Sequence, residues 1–152
     1  MKFSEITSEE WVELQPYLDT CLIPYTALTG EESPYETVVA LERLRDFLDY
    51  VEIPFKGRIV TYPAFHYSQA PHVQRLNELC SRIKAGGFKY VIVMTADEPL
   101  AQSQLPQADL VFSLPELFFE KEELNSEITS KFKKNIQNQV YQMWSNPFQR
   151  DM

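Results

Sequence analysis

The sequence predicts an α/β fold, a small three-layer sandwich in which a mainly parallel four-stranded sheet is flanked by helices. Short runs of β-branched and apolar residues alternate with stretches that repeat apolar residues at helical spacing. Such alternation is typical of parallel strands joined by right-handed helical crossovers. The length of 152 residues suits one domain, since domains commonly hold ~100–150 residues. We expect residues 1–146 to form this single domain and residues 147–152 to fray.

The first predicted elements are a short helix and a short strand. Thr7 and Glu10 have the spacing of a capping box, and Pro16 ends or kinks the helix that they open. The apolar run at residues 21–23 then predicts the first strand, which Pro24 closes.

A long second helix is predicted to start at Pro34, because Ser33 and Glu36 form a capping box and proline suits the first helical position. Pro54 ends it. The apolar stripe that should cover one side of the core consists of Val38, Leu41, Leu44, Leu48 and Val51.

Two later helices are predicted in the same way. One begins at Pro71, ends at the glycines 86–87, and has an apolar face made of Val73, Leu76, Leu79, Cys80 and Ile83. The last is capped by Ser126, should pack along one face of the sheet, and has apolar positions at Ile128, Phe132, Ile136, Val140, Met143 and Trp144. A further helical stretch is expected from Pro115, and the segment between Pro99 and Pro106 has room for a short helix.

The remaining strands are predicted at residues 57–62, 88–95 and 110–112, and Pro63 stops the first of them. The run at residues 90–94 is continuously apolar, which fits a central parallel strand covered on both faces. We expect the strand order 2-1-3-4.

Composition narrows the classes of partner and compartment. The formal net charge is −8 and the pI is near 4.8, which argues against nucleic acid and anionic membranes as partners. The chain has no secretory leader and no apolar stretch long enough to span a membrane, so we expect it in the cytoplasm. Cys21 and Cys80 are expected to be reduced core thiols, since they lack the C-x-x-C spacing of a redox pair.

The sequence gives no cofactor, metal or catalytic signature. Neither glycine-rich phosphate motif is present, nor is G-x-S-x-G. The helix start at Ser33 is crowded by Glu31, Glu32 and Glu36, which would repel an anion. The two histidines, His66 and the surface residue His72, are too few for an expected zinc site without a cysteine cluster. We therefore predict no cofactor, no metal and no assigned catalytic residue.

A ligand, if there is one, should bind beyond the carboxyl ends of the strands, where the strand order reverses. The candidate ligand-binding residues there are Tyr62, His66, Thr95 and Asp97. The sequence leaves two interpretations of each group open. His66 is a general base in a pocket, or it belongs to an aromatic plug with Tyr62, Phe65 and Tyr67. Asp97 and Glu98 act as acid, base or Mg²⁺ ligands, or one of them caps a helical turn near Pro99.

The last helix has an unusual polar side. It holds three lysines and five amides, namely Lys131, Lys133, Lys134, Asn135, Gln137, Asn138, Gln139 and Gln142. This side is either a solvated face or a docking surface for a protein partner or a second copy of the chain, since amides bond across an interface without the cost of burying charge. Met143, Trp144 and Phe148 could extend such a surface.

Two stretches resemble the YpiF-like family of uncharacterised proteins from Bacillus-type bacteria. They read Tyr17-Leu18-Asp19-Thr20-Cys21-Leu22-Ile23-Pro24 and Gly57-Arg58-Ile59-Val60-Thr61-Tyr62-Pro63-Ala64-Phe65-His66-Tyr67. The resemblance covers most of the chain and implies a cytosolic bacterial protein. It supplies no catalytic residue.

Two functional hypotheses follow from these patterns. The first is a non-enzymatic interaction or regulatory domain that binds a protein partner, or itself, through the last helix. The alternative is a small-molecule-binding enzyme, a hydrolase or transferase, with its site at the carboxyl ends of the strands.

Overall fold

A parallel sheet forms the centre of the chain's first unit. The computed structural model describes residues 1–67, 73–114 and 126–145. It divides into two units, Met1–Leu114 and Pro115–Met152. The four strands of the first unit are β1 (Thr20–Tyr25), β2 (Ile59–Thr61), β3 (Tyr90–Thr95) and β4 (Leu110–Ser113). Their order is β2-β1-β3-β4 and all three pairings are parallel, which confirms the predicted α/β fold and strand order.

The helices begin and end close to the predicted capping signals. The described α-helices are α1 (Ser8–Leu14), α2 (Pro34–Glu52), α3 (Gln74–Ala85) and α4 (Ser126–Ser145). At α2, the Ser33 hydroxyl accepts the Glu36 N–H and the Glu36 carboxylate accepts the Ser33 N–H, each at 3.2 Å, as the capping box predicted. The expected short helix after Pro99 is a 3₁₀ helix at Gln102–Gln104.

The start of α1 differs in one detail. The Thr7 hydroxyl accepts the Glu10 N–H, but the Glu10 carboxylate accepts the Thr7 hydroxyl instead of the backbone N–H of that residue. The cap is therefore present without a complete box.

Helices α2 and α3 cover opposite faces of the sheet. The crossover from β1 to β2 runs in one direction and the crossover from β2 to β3 runs back, so two right-handed connections must lie on opposite sides. On the α3 side, Cys80 belongs to the same buried cluster as Cys21 and Val91, and Trp11 of α1 packs against that cluster. The predicted three layers are present within this unit.

The prediction of an apolar stripe on α2 is confirmed for three of its five residues. Leu44, Leu48 and Val51 are buried, but Val38 and Leu41 are 50% and 41% exposed. At ~1.5 Å per residue the helix is ~28 Å long, whereas a six-residue strand spans ~20 Å. The helix is therefore longer than the strand by about five residues, and Leu41 lines an open pocket together with Pro24 of β1 and Thr61 of β2.

Other predicted boundaries also shift. Helix α3 begins at Gln74, so Pro71 is not its first residue; Pro71, His72 and the stretch from Pro115 lie outside the described residues. The second and third strands begin two residues later than predicted, at Ile59 and Tyr90, and the second also ends earlier, at Thr61. The first strand continues through Pro24 to Tyr25, so Pro24 does not close it. In α4, Ile136 and Val140 are buried while Ile128 is 44% exposed, so the predicted face does not continue to the first turn.

The two cysteines are free thiols without exposed surface, as predicted. Burial raises the pKa of both thiols, that of Cys80 to about 11, and the neighbouring Cys80 raises that of Cys21 further. No helix in the described ranges is both long and apolar enough to cross a membrane.

We expect Ile92→Ala to lower the free energy of unfolding by ~2–5 kcal/mol, because it leaves a cavity at a fully buried position of β3. The matched control is Val12→Ala on α1, where the side chain is 75% exposed and the change should stay within ~0.5 kcal/mol. Urea denaturation measures both. Equal losses in the two variants would contradict a central β3.

We also expect neither thiol to react with a disulfide reagent such as DTNB in the native chain, since both are buried and hold their protons tightly. Both should react in urea. Rapid modification of either cysteine under native conditions would show that this side of the core is open to solvent.

Candidate functional site

The crevice where the strand order reverses lies between β1 and β3. These two strands pair over their whole length, from Thr20 opposite Tyr90 to Tyr25 opposite Thr95. The loops that follow them therefore leave the sheet side by side. Residues 26–33 form one side of the crevice and residues 96–101 form the other.

Asp97 connects the two sides. Its carboxylate accepts the Ala27 N–H through both oxygens, at 3.1 and 3.0 Å, and accepts the Thr95 hydroxyl at 3.2 Å. Desolvation by burial raises the pKa of this carboxyl, although the two hydrogen bonds act in the opposite direction. The Asp97 side chain, which was predicted to face a ligand, thus accepts hydrogen bonds from its own chain.

His66 belongs to the same group through Thr26. Its Nδ1 lies 2.5 Å from the Thr26 hydroxyl. Thr26 directly precedes Ala27, whose N–H donates to Asp97. Burial lowers the pKa of His66, while the negative charge of Asp97 raises it in part. The neutral imidazole is therefore favoured, and an acid and a base with oppositely shifted pKa values lie near each other at the sheet edge.

Backbone hydrogen bonds hold His66 in this position. The Phe65 N–H donates to the Pro24 carbonyl at 2.8 Å, and the Thr26 N–H donates to the Phe65 carbonyl at 3.1 Å. Phe65 thereby continues the parallel pairing beyond the end of β2, opposite Tyr25. These backbone bonds alone fix the loop after β2 against the loop after β1, independently of the His66 side chain.

Tyr25 and Glu98 form a second link across the crevice, which sequence reasoning did not single out. The Tyr25 hydroxyl donates to the Glu98 carboxylate at 2.7 Å. Burial raises the pKa of Tyr25, and the hydrogen bond to Glu98 adds to this. The only signal in the sequence was positional, because Tyr25 ends β1 and Glu98 follows β3, and those strands are neighbours.

Tyr62 lies in a different group from the other predicted site residues. Its ring packs at 88° to that of Phe88, with centroids 5.4 Å apart, and it also contacts Phe3. His66, Thr95 and Asp97 are thus brought into one connected group and Tyr62 is not part of it. Tyr67 is 66% exposed, and its ring lies 5.9 Å from the His66 ring at an angle of 60°, as expected if the two belong to one aromatic group.

The alternative role predicted for the acidic pair is wrong. The helical turn that follows Pro99 starts at Gln102 with Ala101 at its N-cap, so neither Asp97 nor Glu98 caps it. Asp97 contacts residues 26–27 and 95 instead. Within the described ranges, no three His, Cys, Asp or Glu side chains come close enough together to hold a metal ion.

We expect the side-chain pKa of His66, followed by NMR, to lie below its ordinary value of 6.5. The folded chain then binds this proton less readily than the unfolded chain, so the stability that neutral His66 contributes is complete above 6.5 and is lost as the pH falls towards the lowered value. The difference in unfolding free energy between the natural chain and His66→Gln should shrink between about pH 7.5 and about pH 5.5. A difference that stays constant or grows on acidification would contradict the buried, neutral imidazole.

Comparison with known proteins gives a family and no more. A search of curated proteins returned no match, and neither did a search of solved structures. The model of one family matches residues 9–147, which is most of the sequence and includes the whole crevice. The chain therefore belongs to the family described as "Protein of unknown function (DUF2487)".

Proposed function

We propose that the chain is a non-enzymatic interaction or regulatory domain of the cytosol. The observation that carries this proposal is that the polar side chains of the crevice bond to one another and to the backbone around them. Asp97 accepts from the loop after β1, His66 pairs with Thr26, and Glu98 accepts from Tyr25. A substrate would have to displace these bonds before it could use the same atoms.

Helix α4 supplies the contact surface in this proposal. Its buried residues, Ile136 and Val140, lie four positions apart, and its polar side chains lie on the remaining surface. The exposed ones include Lys131, Lys133, Lys134, Asn135, Asn138 and Gln142. Tyr141 adds an aromatic ring that is 56% exposed and touches Trp144. Amides around an aromatic pair suit an interface, because they bond to a partner without burying charge.

A second copy of the chain is the partner that the charges favour. Acidic residues outnumber basic ones by 22 to 14 in the chain, whereas the exposed side of α4 carries the three lysines. A lysine-bearing helix face would be attracted to the acidic surface of another copy. The reduced, buried state of both cysteines supports a cytosolic location, where thiols persist.

We expect Trp144→Ala to weaken self-association by about tenfold or more, because tryptophan anchors contribute strongly to interfaces. Sedimentation velocity over a concentration series measures this, and added salt should weaken association as well. The matched controls are His66→Ala and Asp97→Ala, which should associate like the natural chain. A chain that stays monomeric at all concentrations, or a Trp144→Ala variant that associates normally, would contradict the proposal.

The alternative function is a small-molecule-binding enzyme at the crevice. One observation favours it: Asp97 and His66 have oppositely shifted pKa values, an arrangement common at catalytic sites. A metabolite that raises the melting temperature of the natural chain, but not of His66→Ala or Asp97→Ala, would support this function over the first.

We also propose that the narrower resemblance to YpiF-like proteins is a true relationship. The two stretches that carry it contain β1, β2 and the His66 loop, so they form connected parts of one sheet edge.

A further inference from the structure

A second cleft lies on the α1 side of the sheet, and half of its lining residues are aromatic. Its volume is about 300 Å³, and four of its lining residues are Phe3, Trp11, Tyr62 and Phe88. They come from four separate segments: the 3₁₀ helix Phe3–Glu5, α1, the residue that follows β2 and the turn before β3. All of them belong to the unit Met1–Leu114.

The four rings form a continuous series of walls. Tyr62 stands at 88° to Phe88 and at 65° to Phe3, with centroid distances of 5.4 and 6.4 Å. Trp11 continues the series beyond Phe88, at 5.8 Å and 39°. Phe88 is only 7% exposed, while Phe3 is 48% exposed, so the rings extend from the core to the surface. The faces of aromatic rings carry partial negative charge, so a cation that lies against an uncovered ring face is attracted to it.

Two polar groups of the cleft, unlike those of the crevice, have no hydrogen-bond partner among the described residues. No hydrogen bond joins the Trp11 indole nitrogen or the Tyr62 hydroxyl to any residue that the structure describes. Both groups can donate to an oxygen atom of a ligand.

The charge around the cleft favours a cation. The residues that line it are uncharged, residues 1–10 contain Glu5, Glu9 and Glu10 against Lys2, and Lys89 follows the lining residue Phe88. The chain as a whole is acidic, with a net charge of −8. This excess of acidic residues disfavours an anion in the cleft.

We propose that this aromatic cleft binds the quaternary ammonium group of a small, choline-like cation. A methylated cation suits this cleft, because its methyl groups fill an apolar space and its charge is attracted to the faces of aromatic rings. The volume of the cleft is at the lower end for ligand pockets, which typically measure ~300–1,000 Å³, so the ligand must be small. The proposal does not depend on the interaction role of α4.

The test compares choline with its uncharged isostere, 3,3-dimethylbutan-1-ol. Trp11 and Trp144 are the two tryptophans of the chain, so Trp144→Phe leaves Trp11 as a reporter inside the cleft. Choline chloride should change its fluorescence saturably, and the alcohol should bind about tenfold more weakly because it lacks the charge. Calorimetry on the natural chain should give the same ratio. No saturable change with choline, or equal binding of the two compounds, would overturn the proposal.

Two substitutions locate the site. Tyr62→Leu keeps an apolar contact with Phe88 but removes one ring face, and it should weaken choline binding about tenfold. Phe3→Leu changes a side chain that is already 48% exposed, so it keeps the test valid if Tyr62→Leu does not fold. Val12→Ala, on the exposed side of α1, is the control and should bind choline normally. Normal binding by Tyr62→Leu and Phe3→Leu would place choline elsewhere and overturn the proposal.

Discussion

The pairing of β1 with β3 is the constraint on which the rest of the structure depends. All six residues of each strand are buried, and they pair in register from Thr20–Tyr90 to Tyr25–Thr95. Since side chains alternate between the two faces of a sheet, a slip of one residue would exchange the layers that α2 and α3 cover. The same register brings Ala27 and Asp97 together, because each lies two residues beyond the last pair of its strand.

That register explains why the crevice is closed by the chain itself. A carboxylate placed two residues after β3 meets a backbone N–H placed two residues after β1, and the hydrogen bond forms at the point where a ligand would otherwise enter. Each such bond contributes ~0.5–1.5 kcal/mol, but a buried group left without a partner costs ~1–3 kcal/mol. A ligand would have to replace the partners that it displaces, which favours a structural use of Asp97, Thr26 and His66 over a catalytic one.

The sequence was sufficient for the topology because local rules determine it. Apolar spacing and caps identify the helices, and the handedness of crossovers restricts the strand order to a few possibilities. Lateral contacts follow no local rule: the exposure of Val38 depends on where the sheet ends beneath α2, and the partner of Asp97 is 70 residues away in the chain. Tyr62 was assigned to the crevice because it follows β2, but its ring lies with Phe88.

The crevice and the aromatic cleft differ in the state of their polar groups, and this difference bears on which of them is available to a ligand. In the crevice, Asp97, His66 and Tyr25 already bond within the protein. In the cleft, Trp11 and Tyr62 keep donors without a described partner, and their rings stay partly open to solvent. Binding at the crevice would break hydrogen bonds within the protein, whereas binding at the cleft would replace water at the two donors and remove apolar surface from water. A ligand would therefore displace fewer hydrogen bonds within the protein at the cleft than at the crevice, although the fold rule for parallel sheets directs attention to the crevice.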